Sequence, residues 1–382
     1  MATPNAHVVW TERFLDYDFG PHHPFTERSR GLAARLLESV TSDAHPHALD
    51  WSRSVPVASR PTLESFHQSG YLDFVESASG LAKEILLDTG DTPSFPGCYE
   101  ASARIVEGAL QALDHTLEHR RPAFHPGGGL HHAHPDRASG FCIFNDVAIA
   151  VARGVSKGLR VAYIDIDAHH GDGVMYGFYE SGKVLDIDFH QDGRTIFPGT
   201  GFPHEIGRKD GAGLKANLPL PPGAGDEALV PLFRRVVPPL LRRFRPEVIV
   251  LQHGVDGHYW DEIAHLQYSP AAYAEIDRAV LALSRELTGG RLLVTGGGGY
   301  RAESVSRVLA RTGLILGGLP EPEGDLALPP TWRNEFSASF RREAPTHWVD
   351  RDELDPSPWT EANETSLIRE LENRLGEKFP SP

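Results

Sequence analysis

Acidic and histidine side chains follow a buried-strand pattern between residues 161 and 174, which read VAYIDIDAHHGDGV. Asp165, Asp167 and His169 alternate along this segment, so on an extended backbone all three point to one face. Carboxylates at the end of a buried strand are costly to desolvate unless a cation or hydrogen-bond donors meet them. The spacing therefore indicates a metal site.

A third ligand is expected from the segment LQHGVDGH, residues 251–258, which follows another strand-like run. Asp167, His169 and Asp256 then form a set of two carboxylates and one imidazole that leaves coordination positions open. A metal held there polarises a carbonyl group and lowers the pKa of water. The structural alternative is a helix-capping aspartate and a buried salt-bridged pair.

Two adjacent histidines, His131 and His132, follow three glycines in PGGGLHHAHPDRASGFCIFND, residues 126–146. In an irregular loop both can turn toward one site, where a histidine pair beside a metal suits general base and general acid roles. Asp165 and Asp172 are the candidates to orient their far nitrogens. A solvated surface loop is the alternative, and His134 is assigned to that loop without a partner.

A tyrosine, Tyr300, ends the glycine run TGGGGY, residues 295–300. Glycines let the backbone approach a ligand closely, so this tyrosine can donate its hydroxyl to a developing oxyanion. A phosphate-binding loop is the alternative, although no Lys-Ser/Thr follows. Phe141 and Phe197 lie in glycine-flanked segments, where they either form a slot for a narrow apolar chain or pack in the core.

Strand-like and helical patterns alternate along the chain and must position these residues. The strand-like runs are His7–Trp10, Arg160–Asp165, Val184–Phe189, Val248–Gln252 and Arg291–Thr295. The helical patterns are Thr26–Val40, Tyr99–His119, Asn145–Val155, Asp226–Arg243, Pro270–Leu287 and Ala302–Leu314. This alternation predicts an α/β fold with a mainly parallel sheet and helices on both faces. The polar segments follow the strands, where open α/β sheets build their sites.

Composition narrows the class of protein. The chain has 382 residues, 40% of them hydrophobic, and a formal net charge of −15, which argues against nucleic-acid binding. Its two cysteines form no disulfide framework, and no basic leader or membrane-length apolar run is present. We expect a soluble cytoplasmic protein with no membrane partner and a catalytic domain over residues 1–320. We also expect an appended segment, 321–382, that ends in an exposed amphipathic helix at Thr365–Glu377.

Several motifs together resemble the zinc-dependent histone deacetylase superfamily, and within it the bacterial AcuC-type (acetoin utilization) lysine deacetylases. PGGGLHHA, ASGFCIFND, YIDIDAHHGDGV, IFPGTG, QHGVD and GGGGY occur in the family's order between about residues 19 and 318. The resemblance implies an arginase–deacetylase fold, with a central parallel sheet of about eight strands between helices. It also implies a divalent ion, usually zinc with ferrous iron as the alternative, on Asp167, His169 and Asp256.

The same resemblance implies a role for each matched residue. His132 is the general base and acid, His131 its electrostatic partner, and Tyr300 polarises the scissile carbonyl. Asp165 and Asp172 orient the two histidines. The implied substrate-binding residues are Asp91, Gly140, Phe141, Phe197 and Ile263.

Two further features are implied by the resemblance. A potassium ion is held by the carbonyls of Asp165, Asp167 and His169 and by the side chain of Asp188, a position that is often serine in the family. Arg28 matches an arginine of an internal acetate channel.

The activity implied is hydrolysis of an acyl-lysine amide on a protein, with an acyl-CoA synthetase suggested by the AcuC-type context. An acetylated small amine such as an acetylpolyamine is the alternative substrate: Ile263 keeps an apolar gate, while Glu262 puts an acid nearby. A binding module that does not turn over substrate and a two-metal ureohydrolase are rival classes.

Overall fold

One parallel sheet organises the part of the chain that the computed structural model describes, residues 5–42, 44–81, 83–88, 90–322, 326–349 and 356–376. Its strands are β1 (Ala6–Val9), β2 (Leu49–Ser52), β3 (Ala123–His125), β4 (Val161–Asp165), β5 (Val184–Gln191), β6 (Lys215–Leu220), β7 (Val248–Gln252) and β8 (Leu292–Thr295). Among the described residues their order is β2-β1-β3-β8-β7-β4-β5-β6, and every neighbouring pair is parallel. The predicted α/β class and parallel sheet of about eight strands are confirmed.

Helices connect the strands and cover both faces of the sheet. They are α1 (Arg28–Thr41), α2 (Arg60–Leu63), α3 (Ser69–Ser79), α4 (Cys98–His119), α5 (Asp146–Ser156), α6 (Asp172–Gly177), α7 (Asp226–Phe244), α8 (Pro270–Leu287), α9 (Ala302–Leu316), α10 (Pro330–Phe340) and α11 (Glu361–Leu375). Short 3-10 turns span Glu12–Asp16 and Lys209–Gly211. Within the described ranges, no helix combines the length and the apolar composition needed to cross a membrane.

The core has two layers because alternate residues of each strand point to opposite faces. In β4, Ala162 and Ile164 pack into the layer that holds α1, α7, α8 and α9. Val161 and Tyr163 pack into the layer that holds α3, α4 and α5. Burial on both faces explains why this strand reads as a continuous apolar run.

Strand register brings the candidate site segments together. The last residues of four adjacent strands are aligned: His125, Thr295, Gln252 and Asp165. The candidate site segments begin directly after these residues. They carry the two histidines, the tyrosine and the three candidate metal ligands. They therefore converge at the carboxyl edge of the sheet, where a doubly wound fold places its site.

The chain beyond residue 320 contributes to the same core. Trp332 on α10 is buried and donates its Nε1–H to the carbonyl oxygen of Leu32 at 2.9 Å. The helix predicted at Thr365–Glu377 begins earlier, at Glu361, because Thr360 and Asn363 form a reciprocal capping box. Its apolar face is buried rather than exposed, and residue 377 lies outside the described residues.

Candidate active site

Two carboxylates and one imidazole form a tight buried cluster beyond β4 and β7. Nδ1 of His169 lies 2.8 Å from Oδ2 of Asp256 and 3.3 Å from Oδ1 of Asp167. Each residue offers one ligand atom, and these atoms all lie within 4.8 Å of one another. Two buried acids with one imidazole are a donor set that a divalent cation such as zinc accepts. The residues present therefore fit the implied ion.

Glycines let the backbone pack directly against the two carboxylates. A Cβ atom on Gly298 would lie 2.0 Å from Oδ2 of Asp256, and one on Gly254 would lie 2.1 Å from Oδ2 of Asp167. The N–H of Gly298 donates to that same Asp167 oxygen at 2.6 Å. Any side chain at either glycine would displace a candidate ligand.

The electrostatics of the cluster favour a bound positive charge. Burial, with repulsion from Asp167, raises the pKa of Asp256 to about 7. Burial alone would lower the pKa of His169, but its contacts with Asp167 and Asp256 outweigh it and raise the pKa to about 10. The cluster therefore holds a proton at neutral pH that a metal ion would replace.

Two histidine–carboxylate pairs lie beside this cluster. Nδ1 of His131 is 2.9 Å from Oδ2 of Asp165, and Nδ1 of His132 is 2.7 Å from Oδ1 of Asp172. With both Nδ1 atoms engaged, the Nε2 atoms of the two rings approach each other to 3.0 Å. Both histidines thus turn their free nitrogens toward one point, as the irregular loop permits.

At neutral pH one of the two histidines is neutral and the other is protonated. Burial, followed by repulsion from His131, lowers the pKa of His132 to about 4. Burial opposes charge on His131 as well, but Asp167 and Asp165 outweigh it and raise the pKa to about 10. A neutral imidazole beside an imidazolium is an arrangement that separates a proton acceptor from a charge stabiliser.

A third histidine also contacts Asp172. Nε2 of His134 lies 3.0 Å from Oδ2 of Asp172, so one carboxylate holds two imidazoles, those of His132 and His134. The prediction that His134 has no partner is wrong. The loop folds back on itself at this point, through a backbone hydrogen bond from His134 to Arg137, and sequence spacing gave no sign of that return.

The residues that hold the histidine loop were also missed from the sequence. Asn145 donates its Nδ2 hydrogens to the carbonyl oxygens of His131 and Ala133, at 2.8 and 2.9 Å. Oδ1 of Asp146 accepts the N–H of Leu130 at 2.7 Å. Both side chains are fully buried. The sequence signal available for them was the pair of polar residues, Asn145 and Asp146, that follows the apolar run CIF at the start of α5.

Tyr300 sits at the end of the glycine run with its ring against His169 and Phe141. The centroid of its ring lies 6.3 Å from that of the His169 ring and 5.9 Å from that of the Phe141 ring. Burial, with the nearby acids Asp256 and Asp167, raises the pKa of the Tyr300 phenol well above its usual value. The hydroxyl therefore stays protonated and can donate a hydrogen bond.

A glycine and two phenylalanines border the approach to the histidines. The Phe197 ring, 41% exposed, lies 5.0 Å from the ring of His132. Gly140 has a φ of +53°, and a Cβ atom there would lie 2.6 Å from Cδ2 of His132 and 2.8 Å from Cε1 of Phe197. Phe141 follows directly, so the absence of a side chain at Gly140 lets the loop that carries Phe141 pack closely against His132 and Phe197.

The remaining predicted substrate contacts, Asp91 and Ile263, lie on loops that contact the loops of Phe141 and Tyr300. Asp91 is exposed, and its neighbour Thr92 accepts the backbone N–H of Phe141 at 3.0 Å. Partial desolvation of its carboxylate and the nearby Asp88 raise the pKa of Asp91 to about 6. Ile263 is half-buried near the loop that carries Tyr300.

Residues 23–315 match the model of the histone deacetylase domain, a range that contains the three candidate ligands, the two histidines and Tyr300. The chain belongs to the histone deacetylase family. It is 35% identical to the acetoin utilization protein AcuC of Staphylococcus xylosus, over 98% of this chain and 97% of that protein. It is 34% identical to AcuC of Bacillus subtilis (strain 168), over 91% and 90%. The predicted family and its AcuC-like character are confirmed.

Asp188, the side chain that the resemblance assigns to a potassium ion, pairs with a histidine. Oδ2 of Asp188 accepts the N–H of Gly171 at 2.8 Å, and Oδ1 lies 2.6 Å from Nδ1 of His190. Nε2 of His190 is 2.8 Å from the carbonyl oxygen of Gly201, so both ring nitrogens have acceptors. Burial opposes charge on His190, but Asp188 outweighs it and raises the pKa. The contact with Asp188 therefore favours the protonated form of His190.

Arg30, and not Arg28, is the arginine buried near the start of α1, so the assignment of Arg28 to an internal channel is wrong. Arg28 is 49% exposed and pairs with Asp18 at 3.2 Å. Arg30 is fully buried and donates to the carbonyl oxygen of Gly297, in the run that ends at Tyr300. Residues two apart on a helix differ by about 200° around its axis, so Arg28 and Arg30 face opposite sides of α1.

Proposed function

We propose that this chain is a metal-dependent deacetylase that hydrolyses the acyl amide of lysine side chains. One observation carries the proposal: a two-acid, one-imidazole cluster lies beside a neutral and a protonated histidine, within a histone deacetylase domain. A hydrolase needs that separation of proton acceptor from positive charge, whereas a module that only binds acyl-lysine does not.

Asp167, His169 and Asp256 would hold the divalent ion, with zinc as the expected metal and ferrous iron as the alternative. When bound, it would supply Lewis acidity that polarises the amide carbonyl and lowers the pKa of water. The buried position of all three ligands supports this assignment, because two carboxylates at this depth share a single imidazole and a divalent cation would balance their remaining charge.

His132 is the proton carrier of the proposed reaction. Its pKa of about 4 leaves Nε2 unprotonated at neutral pH, so this atom can accept a proton from the attacking water. Asp172 holds the ring through Nδ1 at 2.7 Å and fixes which nitrogen faces the reaction. The same Nε2 atom then delivers the proton to the leaving lysine amine.

Tyr300 and His131 stabilise negative charge in this scheme. The Tyr300 phenol keeps its proton and donates it in a hydrogen bond to the substrate carbonyl oxygen as charge develops there. His131 stays protonated through its pairing with Asp165 and supplies a fixed positive charge nearby.

The entrance favours an acyl-lysine peptide over an acetylated polyamine. Glu262, the acid that could attract a cationic amine, is paired with Arg301 at 3.1 Å, so its charge is compensated. Ile263 presents an apolar side chain beside it. Asp91 is exposed and can accept backbone N–H groups of a peptide. An acyl-CoA synthetase is the protein substrate that the AcuC likeness suggests.

A potassium ion beside Asp165 and Asp188 is part of the proposal. Burial, and then repulsion from Asp188, raises the pKa of Asp165 to about 7, so a further cation near both acids would stabilise their ionised forms. Carbonyl oxygens of Asp165, Asp167 and His169 would complete the site. We expect turnover to be higher in potassium chloride than in tetramethylammonium chloride at equal ionic strength.

The deciding experiment compares substrates on one metal-analysed sample. We expect kcat/KM for an acetyl-lysine peptide to exceed that for acetylputrescine by at least tenfold. The reverse order would assign a polyamine deacetylase. Urea release from guanidino compounds would assign a ureohydrolase. Binding of the peptide to metal-loaded protein without acetate release would show a binding module instead.

A further inference from the structure

A second cluster of metal-ligating side chains lies at the β1–β2 edge of the sheet. His7 on β1, Asp50 on β2 and His115 on α4 each offer one ligand atom, and these atoms lie within 4.8 Å of one another. We propose that this cluster is a second transition-metal site, separate from the catalytic centre, for a borderline ion such as Zn²⁺, Ni²⁺ or Cu²⁺.

Strand register fixes two of the three ligands. His7 and Asp50 are direct partners in the parallel β1–β2 pair, and Nδ1 of His7 lies 3.0 Å from Oδ2 of Asp50. The far nitrogen of the same ring, Nε2, lies 3.1 Å from Oγ of Ser52. This contact orients the imidazole in the way that outer hydrogen bonds orient metal-bound histidines.

His115 supplies an unsatisfied nitrogen. Its Nε2 atom is buried and has no hydrogen-bond partner within the described part of the chain. A buried polar nitrogen without a partner is destabilising, and a cation would give it one. The ring stacks on His7 with centroids 3.8 Å apart, which keeps it beside the other two ligands.

A further histidine lies one helical turn beyond His115, outside the group of three ligands. His119 follows His115 at the i, i+4 spacing that places both on one helix face, and their ring centroids are 4.4 Å apart. His119 is also the last residue of α4, where the negative end of the helix dipole favours a cation.

The charge state of the cluster suits metal binding. Burial lowers the pKa of His7, and burial together with His7 lowers the pKa of His115 to about 4. The ionisable groups that face the cluster are Asp50, His119 and Arg121. Both imidazoles are therefore neutral at physiological pH, which is the form that ligates metal.

One adjustment is needed for binding. The two stacked rings are nearly parallel, with an interplanar angle of 8°, and a metal must lie close to the plane of each ring that binds it. His115 must therefore tilt, and its half-exposed position leaves room for that motion. We expect micromolar affinity, weaker than that of a closed four-ligand zinc site.

The cluster is far from the catalytic residues. In the sheet order, β1 and β4 are separated by β3, β8 and β7. Four strand spacings correspond to about 19 Å. A metal at this position would join β1, β2 and the end of α4, so its role would be to stabilise the sheet edge rather than to take part in hydrolysis.

The test is zinc titration of chelator-treated, full-length protein by calorimetry. We expect two binding equivalents for wild type and one for His115→Gln. Asp256→Asn disrupts the catalytic cluster and should keep the peripheral equivalent. His347→Gln, which removes an exposed histidine, should keep both.

Asp50→Asn provides a second variant, because its exposed side chain can change without disturbing the core. It should weaken the peripheral equivalent at least tenfold while leaving the catalytic equivalent intact, which also reports a folded protein. The proposal is overturned if neither Asp50→Asn nor His115→Gln changes zinc binding. It is also overturned if wild type binds only one zinc ion, or if His347→Gln removes the second equivalent. Because Asp256→Asn isolates the peripheral site, the outcome does not depend on whether the protein proves to be a deacetylase.

Discussion

Asp261 accepts the backbone N–H of Tyr300 through Oδ2 at 2.9 Å, so the position of the tyrosine depends on a carboxylate 39 residues earlier. Its other oxygen, Oδ1, accepts the N–H of Ile263 at 2.9 Å. One side chain therefore connects the proposed carbonyl-polarising residue with the residue at the entrance. Asp261 is a positioning residue that the sequence did not reveal.

We expect Asp261→Asn to lower kcat by roughly tenfold to a hundredfold, as lost outer hydrogen bonds to active-site groups do. The amide NH₂ would face backbone N–H groups and shift the Tyr300 loop. The metal content should not change. Steady-state kinetics with metal analysis checks this, and a change confined to metal content would contradict the positioning role.

Removing the Tyr300 hydroxyl tests the oxyanion donor directly. We expect Tyr300→Phe to lose about 3 kcal/mol of transition-state stabilisation, with fold and metal content retained. The measurement is kcat on an acetyl-lysine peptide. Tyr179→Phe, at a half-buried tyrosine outside the site, is the matched control and should keep full activity. Full activity in Tyr300→Phe would remove this residue from the mechanism.

The pH profile reports the proton carrier. His132 must be neutral to accept a proton, and burial together with His131 lowers its pKa to about 4. Activity should therefore persist as the pH falls below the usual histidine value and be lost near the lowered pKa. A bound cation would push that pKa in the same direction. We expect the acidic limb of kcat/KM to lie below pH 6, and a limb at 6.5 or above would contradict this charge state.

His134 should influence His132 through their shared carboxylate. In His134→Ala, Asp172 loses the contact at 3.0 Å, and the His132 ring is held less firmly. We expect kcat to fall about tenfold, at the lower end of what lost outer hydrogen bonds cost. His134→Gln retains a donor and should restore part of the rate. Equal rates in both variants would mean that the contact does not position His132.

Metal binding at the two clusters should differ in proton release. His169 has a pKa raised to about 10, so at pH 7 it is protonated and must lose its proton when it ligates. The peripheral histidines have lowered pKa values and are already neutral. Calorimetry in two buffers with different ionisation enthalpies should show release of about one proton per catalytic ion and none per peripheral ion.

Long apolar runs made most of the sheet predictable. The strand Val248–Gln252 and the helix Pro270–Leu287 have the bounds that the sequence predicted. β2 and β3 were missed because β2, LDWS, is half polar and β3, AFH, has only three residues, so neither shows a clear apolar run. β6, KANLPL, was missed because lysine, asparagine and proline interrupt its apolar pattern. It is an edge strand, and a proline is tolerated there.

The site was predictable where residues follow strand ends and was not where loops return on themselves. Asp167 and Asp256 could be placed together because adjacent parallel strands carry them to one edge. His134, Asn145 and Asp261 act through loop conformations that no periodicity encodes. Arg28 was chosen over Arg30 because a loose motif does not fix which helix face is buried. The peripheral histidines lie more than a hundred residues apart.

The last described helix has a consequence for shortened forms of the protein. α11 packs beside β6, the outermost strand on that side of the sheet, and buries Leu367 and Leu371. A chain cleaved before residue 356 would leave an apolar surface next to a row of unpaired backbone groups. Such an edge recruits strands from other molecules. Proteolysis between α10 and α11 should therefore produce self-associating particles while every residue of the hydrolytic centre is still present.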